Sequence, residues 1–330
     1  MTNRLRLAIR SAKSGSDWSD NELLAFNIQV VDTTITVFFN TPELPPPTVA
    51  PTILNNIDKP DGPLVKGDRL FFQYMRLVEK PRSPESRVDD FAAFILRILN
   101  YDNKDRIICQ RTEMSFPMTG HRVDAKTDVC LMDELELLLL VQEDKRTSSN
   151  DDPEPQVIVE AIAAFYQNNL QCKQMGLQPL QSKYIPAITM IGTAPIFYHI
   201  PVTTALVQAL ATASYPQEET TVLKFIPPVP NQHRYRIDGM WPLDNQHIIL
   251  QCFEAFKAVI NCRSQNTSER KSFLLVAVVS KPKSSPAIKM MIMGFCSHNA
   301  FLRVDALDTI SHFPVPCSQE AWSARVRRTE

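Results

Sequence analysis

Residues 137–145 read LLLLVQEDK, so four leucines lead directly into Glu143, Asp144 and Lys145. On a strand, Glu143 and Lys145 share one face, and Gln142 and Asp144 share the other. A leucine run of this kind is expected to be buried on both faces, central in its sheet. Charges are costly in such a place unless they pair or meet a metal. They are therefore expected at the strand's mouth, where the core opens. The preceding segment, HRVDAKTDVCLMD, carries Asp128. A short turn between the two strands is expected to set Asp128 beside Glu143. Two such carboxylates suit a hard divalent cation, which takes several oxygen ligands.

Two further sets of residues can join them. Glu85 precedes Val88 by three positions and heads the stripe Val88, Ala92, Ile95 and Leu99. It reads either as a third acid of the site or as an ordinary first-turn acid favoured by the helix dipole. Gln156 and Glu160 are four apart and share one helix face. Asp124 reads as a solvated strand start. The histidines at 121, 199, 233, 247, 298 and 312 have no metal-ligand spacing, and no Ser-His-Asp or G-x-S-x-G arrangement occurs.

The elements that must position these residues follow from pattern. ESRVDDFAAFILRILN (85–100) has the period of a helix. RIICQRTEMSF, HRVDAKTDVCLMD and LELLLLVQEDK read as three strands joined by short polar turns. In NDDPEPQVIVEAIAAFYQNN, Asp152 can cap a helix and Pro153 suits its first turn. YIPAITMIG and APIFYHIPV read as two more strands, with helices at 203–213 and 245–261. Residues 20–40 alternate apolar and polar and read as a strand pair, followed by the linker TPELPPPTVAP. An α/β fold is expected. Residues 1–80 form a strand pair and proline-rich linker packed on the core, and 81–264 form the main domain. Residues 265–330 form a C-terminal extension, either an extra hairpin and tail or a poorly ordered appendage.

Composition narrows the function. The 330 residues are 44% hydrophobic and 22% charged, with a net charge of -1. That excludes a protein basic over its whole surface but leaves room for a local basic groove. Eight glycines against 25 prolines leave no G-x-G-x-x-G and no P-loop. Seven widely spaced cysteines without C-x-x-C argue for reduced thiols in an intracellular compartment, cytoplasmic or nuclear. The start, with Arg4, Arg6, Arg10 and Lys13, reads as a basic helix or frayed end, and no apolar run is long enough for a membrane.

Asp128 followed by Glu143-x-Lys145 on hairpin strands flanked by helices resembles the PD-(D/E)XK nuclease superfamily. The order helix, three-strand meander, helix, strand is similar to that of its restriction-endonuclease-like core. Thr127 stands where the family usually has proline. Glu85 resembles the first-helix acid of some members. Gln156 resembles the glutamine of the RecB-like branch, with Glu160 where an aromatic is usual. Residues 20 to 260 also resemble a family of basidiomycete fungal proteins. The resemblance implies a phosphodiesterase acting on nucleic acid and dependent on magnesium or manganese. Asp128, Glu143 and the Asp144 carbonyl are then the metal ligands. Lys145 and Gln156 orient water or phosphate, and Glu85 completes the acidic shell. The alternative is an inactive nuclease-like domain that binds nucleic acid or protein. The near-neutral charge favours that alternative, because phosphate binding normally needs a basic surface.

Overall fold

The computed structural model describes residues 11–80, 84, 86–103, 105–133, 136–143, 152–271, 276–279 and 290–293, with side chains undescribed at 143 and after 260. The chain divides into two compact units, Met1–Ile260 and Asn261–Glu330. The first contains helices α1 (Asp20–Ala25), α2 (Ile35–Phe39), α3 (Pro51–Leu54), α4 (Lys66–Glu79), α5 (Ser86–Ile98), α6 (Pro153–Gln174), α7 (Thr204–Ala211) and α8 (Tyr235–Asp238). Its strands are β1 (Ile28–Asp32), β2 (Ile107–Met118), β3 (His121–Met132), β4 (Leu137–Glu143), β5 (Ser182–Ile191), β6 (Ala194–Thr203) and β7 (Thr220–Phe225). Helix α9 (Leu243–Lys271) begins in this unit. In the second unit, β8 (Val276–Val279) pairs antiparallel with β9 (Met290–Met293). The rest of the C-terminal extension lies outside the described residues.

The seven strands of the first unit form one mixed sheet, in the order β1-β7-β6-β5-β4-β3-β2. From Ser86 the chain runs α5, the antiparallel meander β2-β3-β4, α6, then β5 parallel to β4. A parallel neighbour needs a crossover, and the 22-residue α6 supplies it. Its start is as expected: Asp152 accepts the Glu154 N–H at 3.1 Å and Pro153 opens the first turn. The β2-β3 turn has two residues, Thr119 at φ 49° and Gly120 at φ 77°. Two successive positive φ angles match the right-handed strand twist.

Both faces of the sheet are covered. On one, α4, α5 and α9 pack Phe72, Phe91, Leu96 and Phe253 over Val129, Leu139 and Phe197. On the other, α6 lays Ile158, Ile162 and Phe165 over Cys130, Leu140 and Ala187. The leucine run lies between these layers, with Leu139 and Leu140 fully buried. Leu138 and Leu139 both enter the first layer, while Leu137 and Leu140 enter the second. A bulge explains the break in alternation: Leu131 pairs with Leu139 but Met132 with Leu137.

The N-terminal expectation needs correction. Residues 20–40 hold one strand between two helices, not a strand pair. Ser19 starts α1 with a capping box: its N–H and hydroxyl donate to Glu22 Oε2 at 2.9 and 2.8 Å. Such local bonds satisfy donors that a strand would have to pair elsewhere. Asn27, at φ 54°, then turns the chain into β1. Strand β7, not anticipated, receives β1 in parallel, with Ile28 opposite Thr220.

Candidate active site

Strands β3 and β4 bring Asp128 to the end of β4 where the acidic and basic residues follow. Val129 pairs with Val141, and next to that pair the Gln142 amide donates to Asp128 Oδ2 at 2.7 Å. Asp128 is half-buried, and Gln142 is 1% exposed. Gln142, not anticipated as a site residue, is thus the β4 side chain that holds the Asp128 carboxylate. The Leu131/Met132 bulge lies between this pairing and the turn, and a register cannot be counted through a bulge from sequence. Glu143 is described by its backbone alone, as the last residue of β4 and the register partner of Met190. The expectation that the turn sets Asp128 beside Glu143 needs correction: the register places Asp128 opposite Gln142, and Glu143 takes the next position, which alternates to the Val141 face. Asp144, Lys145 and Glu85 lie outside the described residues.

Helix α6 adds the pair expected from its spacing. Gln156 Nε2 donates to Glu160 Oε1 at 3.0 Å, and Glu160 is fully buried. Gln156 also lines an open pocket of about 630 Å³ together with Ser14, Gly15, Arg122, Asp124 and Lys126. Asp124 is exposed there, as expected of a solvated strand start.

A second polar group, which sequence reasoning missed, continues across the sheet on the α6 side. Gln142 is the register partner of Thr189. Thr189 Oγ1 donates to the Tyr198 hydroxyl at 3.5 Å, and Tyr198 donates to Glu154 Oε2 at 3.2 Å. Lys224 Nζ closes the group on the same oxygen at 2.6 Å. Burial, and then the Glu154 charge, hold the Tyr198 hydroxyl well above its ordinary pKa, so it remains a donor. The only sequence signal for this group is single polar residues, Thr189 and Lys224, set among apolar neighbours on their strands.

The fit to a divalent cation is partial within the described region. Among the described residues no group of three His, Cys, Asp or Glu is placed to hold an ion. Asp128 supplies one hard oxygen site and Gln142 a neutral amide beside it, which together do not make a shell for such an ion. Among the described residues no helix is long and apolar enough to cross a membrane. No protein-family model matches the chain, and no curated protein matches it.

Proposed function

We propose that the chain is a metal-dependent phosphodiesterase acting on nucleic acid, built on a PD-(D/E)XK-like core spanning α5 to β5. The observation that supports this reading is that Asp128 lies beside the end of β4, where it accepts from Gln142; against it, the register sets Asp128 opposite Gln142 and not opposite Glu143. The Gln142 bond ties the Asp128 carboxylate to the strand end that leads into Glu143, Asp144 and Lys145. Asp128 would be one ligand of magnesium or manganese, with Glu143 and the Asp144 carbonyl, also hard oxygen donors, reaching it from the strand end beyond the Gln142–Asp128 pair. When bound, such an ion lowers the pKa of a water and stabilises charge on the scissile phosphate. Gln142 fixes the direction of the Asp128 carboxylate. Lys145 orients the attacking water or neutralises the phosphate. Gln156, held by Glu160 on the first turns of α6, presents an amide toward water or phosphate, and Glu85 adds to the acidic shell.

A second reading, a nuclease-like module that binds without cleaving, is favoured by one feature. An oxygen of Asp128 already accepts from a neutral amide, which competes with a cation for that oxygen. The test uses the purified full chain with labelled single- and double-stranded DNA and RNA, in manganese or in chelator. Cleavage in manganese alone, lost in Lys145→Ala at unchanged melting temperature, supports the enzyme. Retention of nucleic acid without cleavage selects a nucleic-acid-binding module, and neither cleavage nor binding removes the enzyme and leaves only a module that binds protein.

A further inference from the structure

We propose that Cys109 and Cys130 form a reversible disulfide, a redox site that locks the hairpin carrying Asp128. The two are direct cross-strand partners on β2 and β3. Residues opposite each other on antiparallel strands have Cα atoms about 4.5–5.5 Å apart, inside the range a disulfide spans. Both side chains pack into the cluster beneath α6, so they emerge on the same face. Their exposures differ usefully. Cys109 is half-buried and Cys130 is fully buried. Cys109 is therefore the thiol that an oxidant reaches, and Cys130 is the one that resolves it.

The surroundings of Cys130 fit that role. Its sulfur lies 3.1 Å from the Thr112 hydroxyl. Full burial keeps it from reagents in solution until a partner sulfur is activated beside it. With a hydroperoxide as oxidant, the Cys109 sulfur attacks the peroxide oxygen, giving a sulfenic acid and one water. The Cys130 sulfur then attacks the Cys109 sulfur. The sulfenic hydroxyl leaves with the Cys130 proton as a second water, and the S–S bond forms. Two thiols and one peroxide yield one disulfide and two waters. A dithiol reductant reverses the product by exchange.

The location gives the bond a consequence. Cys130 stands two residues from Asp128. Between Gln110 and Thr112 the strand kinks, with Arg111 at φ 55°. A bond across Cys109 and Cys130 pins the strands beside that kink.

The test treats the full-length protein with hydrogen peroxide, alkylates the remaining thiols and maps peptides by mass spectrometry. The expected result is a linked Cys109–Cys130 peptide, a mass loss of about two protons, recovery with dithiothreitol, and a melting temperature raised by several degrees in the oxidised form. Cys109→Ser, which keeps the size of a half-buried side chain, should abolish both the mass loss and the thermal shift. The proposal is overturned if both cysteines stay alkylatable, if Cys109 stops at sulfinic acid, or if either links to another cysteine. None of these readouts depends on nuclease activity.

Discussion

The two faces of the sheet are built on different plans. The face under α4, α5 and α9 is closed by aromatic rings. Phe197 meets Phe253 and Phe256 edge-on, with centroids 5.2 and 5.0 Å apart, and Phe38 stacks on Phe225 at 5.2 Å. The face under α6 is lined by smaller side chains such as Ala161, Ala163, Ala164 and Ala187. It carries three polar groups near the end of β4 and the start of α6: Asp128 with Gln142, Gln156 with Glu160, and Tyr198 with Glu154 and Lys224, whereas the aromatic face buries His199 and Gln246 among its rings and helices. Buried polar groups are costly unless satisfied, so a protein selected for stability alone would gain little by placing them there. On the proposed function, the aromatic face would carry the larger share of stability and the α6 face the site.

The largest effect should come from the aromatic face. Phe197→Ala removes a fully buried ring with two edge-on partners and should cost about 3–5 kcal/mol in urea denaturation. A loss below about 1 kcal/mol would mean that the aromatic layer is not the main support.

Next is a buried ion pair at the opposite end of β4 from the site. Lys183 and Glu136 are 9% and 3% exposed at their side chains. Lys183→Met strands the Glu136 carboxylate and should cost about 3 kcal/mol, while Lys183→Met combined with Glu136→Leu should restore most of it. If the double variant is no more stable than the single, the pair is not coupled.

Within the α6 face, Gln142→Leu removes the amide held by Asp128. It should cost about 1–3 kcal/mol, because a half-buried carboxylate loses a donor. If Gln142→Leu instead stabilises the protein with no change in behaviour toward manganese, the contact is only packing.

The smallest effect should appear in acid, on α1, whose Leu23 and Ala25 join the cluster beneath α6. Burial raises the Glu22 pKa. The Lys13 amine at 2.6 Å and the Ser19 bonds outweigh it, so the net value lies below the ordinary 4.5. A depressed folded value means that the contribution is present above the unfolded value and is lost as pH falls through the folded one. The melting-temperature advantage of the parent over Glu22→Gln should therefore shrink below pH 4.5. An advantage independent of pH would assign it to shape alone.

Local chemistry was legible in the sequence where it decided the structure. Asp152 and Pro153 started α6, the four leucines lay in an interior strand, and Gln156 reached Glu160 one turn on. What was not legible depends on partners far along the chain. Strand β7 lies between β6 and β1, and its β1 partner comes from almost 200 residues away, with Val30 opposite Val222. The Asp128 partner is set by a register offset at a bulge, and one residue of slip changes which side chain a strand presents. Gln142 stood beside the expected residues in the sequence, but alternation alone could not select it. The residues 20–40 were misread because a capping box and an alternating pattern coexist there, and the capping box prevailed.

The central claim, that the Asp128 end of the α6 face holds a divalent cation, is tested most directly by melting temperature with and without manganese. The parent is compared with Asp128→Asn, which keeps the size of the side chain and an oxygen to accept from Gln142. A ligand bound only by the folded state adds about 2.7 kcal/mol at roughly 100-fold over its Kd, a shift of several degrees. The account predicts that shift in the parent and its loss in Asp128→Asn. Equal shifts in both proteins, or none in either, would contradict it.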